Sequence, residues 1–116
     1  MATPLANKAI SRRTTASTTV HKVELYPTAG STPANTTEVS DCEQPIAFIF
    51  ENLGSVDIFI KLGDGTVATA GTNADYTDQQ VVAAGTIRTL GGFNIRRFTF
   101  KTHSSTADLY WTALTL

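Results

Sequence analysis

An all-β fold, an antiparallel β-sandwich of seven or eight short strands, is the class this sequence predicts, and three observations predict it. Threonine accounts for 20 of the 116 residues, and its β-branched side chain suits a pleated, half-exposed surface. Apolar residues recur at every second position over several stretches, the period of a strand with one buried face. Turn residues interrupt those stretches at intervals of roughly 8–12 residues, as in sandwiches and small barrels. The 14 alanines are scattered among threonine and glycine rather than set at helical spacing, and no helix is predicted. A jelly roll and other sandwich topologies share this pattern, so the sequence leaves that choice open.

The elements follow in order. Lys8, Arg12, Arg13 and Lys22 give the first 22 residues four positive charges and no acid, whereas the rest carries five basic and ten acidic residues. Such asymmetry marks a tail, so residues 1–18 are read as a flexible, extended basic arm and residues 19–116 as one sandwich domain. No apolar core of signal-peptide length follows those charges. Val23 and Leu25 alternate with Lys22 and Glu24 as a first strand. Pro27 opens a polar loop that runs to Ser40.

Residues 46–50 are apolar on both faces, as in a central strand. The turn Asn52-Leu53-Gly54-Ser55 leads into Val56, Ile58, Ile60 and Leu62, the clearest alternation in the chain, and the two strands are expected to form a hairpin. Gly63-Asp64-Gly65 turns the chain again, and residues 66–69 make a short strand before a polar loop. Residues 80–83 and 86–90 flank the turn Ala84-Gly85. The apolar phase slips by one between Ile95 and Phe98, which predicts a β-bulge at Arg96-Arg97. After a turn at His103-Ser104-Ser105, Ala107, Leu109, Trp111 and Ala113 form one face of the last strand, with Tyr110 and Leu114 on the other.

Reactive chemistry is thinly supplied. His103, Ser104 or Ser105, and Asp108 include the residue types of a hydrolytic triad, but they crowd into one turn, and triads converge from separate elements. Two separated histidines and the single cysteine, Cys42, make no zinc site. Cys42 lies between Asp41 and Glu43, whose charges disfavour a thiolate. Asp64, Asn73, Asp75 and Asp78 offer oxygen ligands without the spacing of a calcium-binding EF-hand loop; local turn bonding explains them. The glycine pairs lack the lysine and helix start of a phosphate cradle. Arg96-Arg97 beside Phe93, Phe98 and Phe100 is the one aromatic–basic cluster, read as core phenylalanines next to exposed arginines because the body is acidic. No catalytic residue, metal or cofactor is therefore expected, nor direct nucleic-acid or membrane binding. What remains is surface: if the last strand is exposed, Tyr110, Leu114 and Leu116 form an adhesive strip.

The run from Asn52 through Val56-Asp57-Ile58-Phe59-Ile60-Lys61-Leu62-Gly63, the Ala84-Gly85 turn and the closing Thr106-Ala107-Asp108-Leu109-Tyr110-Trp111 resemble small structural proteins of tailed-bacteriophage virions. These are capsid decoration (cement) and head–tail or tail accessory proteins. The resemblance spans residues 46–114; related sequences often carry proline where this chain has Ala83. It implies a non-enzymatic protein that binds the major capsid protein or other virion proteins. It also implies a homo-oligomer, with a trimer favoured, residing on the capsid surface after synthesis in the bacterial host cytoplasm. The contact residues expected are Lys8, Arg12 and Arg13 on the arm and Lys22 on the first strand, with Tyr110, Leu114 and Leu116 on the last strand. A head–tail connector is the structural alternative. A carbohydrate- or receptor-binding sandwich that uses Trp111, Tyr110 or Tyr76 as stacking platforms is the alternative of another class.

Overall fold

The computed structural model describes residues 8–25, 36–39, 45–63, 80–91 and 95–115. Nine strands lie among them: β1 (Lys8–Ala16), β2 (His21–Leu25), β3 (Thr36–Val39), β4 (Pro45–Asn52), β5 (Ile58–Leu62), β6 (Gln80–Val82), β7 (Ile87–Gly91), β8 (Arg97–Thr102) and β9 (Ala107–Thr115). They form a four-stranded sheet in the order β1-β9-β4-β7 and a five-stranded sheet in the order β3-β2-β8-β5-β6. The expected all-β sandwich is present. Its antiparallel pairs nest, β1 with β9, β2 with β8, β4 with β7 and β5 with β6. A double ribbon wrapped into two layers produces that nesting, so the topology is a jelly roll. β3 is an addition that runs parallel to β2.

Alternation puts one side chain in two into the core between the sheets. Phe98 is its centre, with ring centroids 5.2 Å from Phe50, 5.4 Å from Trp111 and 5.7 Å from Phe48, each nearly edge-on. That tilt is the arrangement aromatic quadrupoles favour. Val23, Leu25, Ile58, Ile60, Val82 and Leu109 complete the interior, all with no exposed surface. Trp111 is 1% exposed, so the last strand's tryptophan belongs to the core and offers no shelf for a sugar.

Four sequence expectations are corrected. Residues 8–16 of the expected arm form β1, which pairs with β9 over nine positions from Lys8↔Thr115 to Ala16↔Ala107. The segment reads poorly as a strand because an edge strand needs few apolar side chains, and here Ile10 and Ala16 alone enter the core. Residues 46–50 and 56–62 do not form a hairpin: β4 and β5 lie in different sheets. The phase slip before Phe98 is no bulge inside β8, which pairs without interruption from Arg97 onward; the irregularity in pairing falls in β4, between Pro45 and Ala47. Residues 36–39 of the expected loop form β3.

Asn52 explains the sheet-to-sheet crossing at β4–β5. Its amide nitrogen donates to the carbonyls of Val56 (2.7 Å) and Val82 (2.9 Å), and its oxygen accepts the Gly54 amide (2.9 Å). Those bonds curl the turn into the second sheet and tie it to β6. Gly54 is required by space, because a Cβ there would lie 2.5 Å from the Ala107 Cβ. Gly85 is required by its backbone, at φ +71° in a turn closed by the Thr86 amide on the Ala83 carbonyl.

Candidate assembly surface

The outer face of the four-stranded sheet can be read row by row from the registers, because directly paired residues share a face. One row runs Arg13, Tyr110, Glu51, Ile87 across β1, β9, β4 and β7. The next is Ser11, Thr112, Ile49, Thr89, and the third is Ala9, Leu114, Ala47, Gly91. Thr15 and Asp108 sit at the open end of the first row. Ile87 is 62% exposed and Tyr110 40%. With Leu53, also exposed, they are the large apolar side chains the fold leaves in solvent among the described residues. A sheet face that leaves Ile87 and Tyr110 in solvent suits protein contact.

Its polar groups are largely satisfied within the subunit. The Arg13 guanidinium donates to Asp108 Oδ2 at 2.6 and 3.1 Å, the Thr15 hydroxyl donates to Asp108 Oδ1 at 2.9 Å, and Ser11 and Thr112 share a hydroxyl–hydroxyl bond of 2.8 Å. Glu51 and Thr89 are the exceptions, with no side-chain hydrogen-bond or ion-pair partner among the described residues.

The core-facing row behind this surface is equally informative: Arg12, Trp111, Phe50, Arg88. Both edge strands place an arginine at an inward position, and both side chains are exposed. Arg12 donates to the Ser11 carbonyl and Arg88 to the Val81 carbonyl. A charge pointing inward on an edge strand obstructs the docking of a further strand. The edges are thus guarded while the face is open.

Of the residues expected in partner contact, the structure brings Arg13, Tyr110 and Leu114 onto this face. Arg12 faces the other way. Lys22 belongs to the opposite sheet and pairs with Glu24 at 3.5 Å, the same carboxylate that Arg97 approaches at 3.9 Å. Lys8 begins β1 opposite Thr115. Leu116, Tyr76, Cys42 and the acidic loop at Asp64, Asn73, Asp75 and Asp78 lie outside the described residues. Glu51, Ile49, Ile87 and Leu53 escape sequence reasoning. Each sits in an ordinary strand or turn pattern, and the register alone joins Glu51, Ile49 and Ile87 to the same surface.

No triad assembles from the last turn. His103 stacks on Phe59 at 3.7 Å, in a cavity of about 350 Å³ lined also by Ser55, Val56, Asp57 and Ser104. Asp108 is held on the other sheet by Arg13 and Thr15, Ser105 is absorbed in the turn at φ +59°, and Asp57 accepts the Ala84 amide. Phe98 and Phe100 are fully buried and present no stacking platform beside the arginines.

Among the described residues, three groups couple stability to pH. Burial lowers the pKa of His21, and burial followed by the charge of Lys101 lowers that of His103. A depressed histidine favours the neutral form in the fold, so its contribution is complete above the ordinary value of 6.5 and is lost as pH falls through the folded value. Asp108 is lowered by the Arg13 hydrogen bond, then by Thr15 and the Arg13 charge, against a smaller opposing effect of desolvation. Its contribution holds above 3.8 and disappears below that. The melting temperature is therefore expected to fall in two stages on acidification. His103→Gln should blunt the first relative to the wild type, and Asp108→Asn the second; parallel curves for all three proteins would refute the assignment.

Neither a protein-family model nor a curated protein matches the chain. Among solved structures, a chain from the work "Bacillus endospore appendages form a novel family of disulfide-linked pili" overlaps 94% of this chain and 87% of its own length. Its identity is 12% and its TM-score 0.43, a likeness too distant to carry an argument about function.

Proposed function

We propose that the chain is a non-enzymatic structural protein that adheres to other protein through the outer face of its four-stranded sheet. In this reading it acts in a phage virion as a capsid decoration subunit. The observation that carries the adhesive part is the contrast within one sheet: exposed Ile87 and Tyr110 on an open face, against inward arginines on both edges. The virion setting rests on the resemblance of residues 46–114. A decoration subunit stabilises a shell by bridging its neighbours, and modest contacts suffice because many act together.

The test adds purified protein to shells that lack it. Tyr110→Arg places a charge at the centre of the face without touching the core, so the melting temperature should stay within a few degrees. Binding should weaken about thirtyfold or more, equivalent to about 2 kcal/mol for a central aromatic anchor. Full binding by the variant, or absence of the wild-type chain from mature particles, would overturn the proposal. Hundreds of copies over the shell support decoration, whereas six or twelve at one vertex would replace it with a connector role.

A further inference from the structure

The row Arg13, Tyr110, Glu51, Ile87 says what covers the open face. Glu51 is a carboxylate without a counter-charge among the described residues, set between two exposed apolar side chains. Docking any protein onto this face removes water from it, and an uncompensated carboxylate there would oppose the contact. A covering surface that presents a cation opposite Glu51 removes that cost. The same row supplies one. Arg13 lies one strand to the other side of Tyr110, on β1, and its side chain is 62% exposed.

Strand neighbours are about 4.8 Å apart, so Arg13 and Glu51 are equidistant from β9. A two-fold axis that runs along β9 between two facing sheets carries Arg13 of each copy over Glu51 of the other. From this symmetry we infer that the occupant of the face is a second copy of this chain, packed sheet on sheet about that axis. The inference rests on the reading of this face as an adhesive surface and names a second copy as what lies over β1, β9 and β4; Ile87 on β7 stays outside that overlap and open to the shell, and Tyr110→Arg weakens shell binding by separating the paired copies.

The rest of the face is compatible. Tyr110, Thr112 and Leu114 lie on the axis, carry no charge and meet their own images. Ser11 falls over Ile49, and Ala9 over Ala47. Asp108 also lies on the axis, but each copy arrives with it held by Arg13 and Thr15. Arg13 then stands between its own Asp108 and Glu51 of the second copy. Overlap of β1, β9 and β4 covers about 14 Å by about 30 Å, or about 800 Å² over both copies. That is the size of a weak, reversible contact. Isologous packing of this kind is the commonest way identical chains pair.

Charge reversal tests the geometry with the full chain, by sedimentation velocity from micromolar to millimolar concentration. The wild type should pass from monomer to dimer. Glu51→Arg alone and Arg13→Glu alone should each dissociate at least tenfold more readily, because each homodimer then holds two like-charged pairs. An equimolar mixture of the two variants should regain dimers near the wild-type affinity, since only the mixed dimer restores both opposite-charge pairs. Far-UV circular dichroism confirms folding; Arg13→Glu also loosens Asp108, and Glu51→Arg does not, so the second variant decides if the first is unstable. A wild type that stays monomeric, charge reversals without effect, or a mixture that does not pair would each overturn the inference. A monomeric wild type whose shell binding is still lost with Tyr110→Arg would overturn the second copy alone and leave the adhesive face standing.

Discussion

Replacing Asn52 with alanine is expected to cost about 3–5 kcal/mol of stability, a large share of what a domain of this size possesses. The side chain is 1% exposed and makes three hydrogen bonds, two donated to the carbonyls of Val56 and Val82 and one accepted from the Gly54 amide. Alanine removes all three at once, stranding the buried Val82 carbonyl away from water and leaving the half-buried Val56 carbonyl and Gly54 amide without their partner. Each buried group so stranded costs about 1–3 kcal/mol, partly offset by no longer burying an amide. A second variant sharpens the test. Asn52→Asp keeps the acceptor for Gly54 but loses both donations and buries a charge, so it should destabilise at neutral pH at least as strongly. It should recover partly in acid, because a carboxyl buried among acceptors has a raised pKa and regains a proton to donate. Chemical denaturation at two pH values checks both. A loss of less than about 1 kcal/mol for Asn52→Ala, the size of an ordinary surface substitution, would show that the crossing holds without this residue.

Asn52 also marks where sequence reading works and where it stops. The run Asn52-Leu53-Gly54-Ser55 is legible as a turn, because asparagine and glycine favour tight backbone bends for local reasons. Its destination is not legible. A turn between two strands leads either to a hairpin or across to the other sheet, and the choice here is made by the Val82 carbonyl, 30 residues away. The same division holds elsewhere. Val56, Ile58, Ile60 and Leu62 announce a strand by alternation, and the phenylalanines at 48, 50, 98 and 100 announce the core. Strand order is set by pairings over long separations, such as β1 with β9, and no local pattern encodes them. The candidate face shares that difficulty: Arg13, Tyr110, Glu51 and Ile87 form a row only once four strands are in register. Tyr110 and Leu114 could be singled out because alternation places them opposite Trp111 and Ala113. Glu51 and Ile87 carried no comparable mark.

The guarded edges restrict the direction in which the chain can associate. Arg12 and Arg88 occupy one row with Trp111 and Phe50, so each flanks the aromatic core at a point where an added strand would have to bury a guanidinium. Bringing a charge out of water in this way opposes growth of the sheet at its edges. Face packing requires no such step. Arg13 and Glu51 stay at the level of the surface, and a second copy exchanges their water for each other. The exposed apolar side chains of the face and the inward arginines at the edges thus point to the same mode of association.

Deletion of residues 1–16 is expected to abolish cooperative folding rather than trim a free arm. The deletion removes β1 and its pairing with β9, Lys8 to Ala16 against Thr115 to Ala107, along with the buried side chains of Ile10 and Ala16. It also discards Arg13 and Thr15, which hold Asp108. β9 then becomes an edge, and the backbone groups that faced β1 are left open beside Trp111. An edge strand of that length with an apolar inner face is a template for pairing with other chains. The expected result is a chain that aggregates or melts far below the wild type, with a broad transition in place of a sharp one. If residues 8–16 merely projected from the body, the deletion would leave the melting temperature unchanged and alter only salt-dependent binding to an acidic partner. A peptide of residues 8–16 added to the truncated chain gives the reciprocal check: it should raise the melting temperature by refilling the vacated edge. A peptide with Ile10→Asp, which places a charge at a core position, should not.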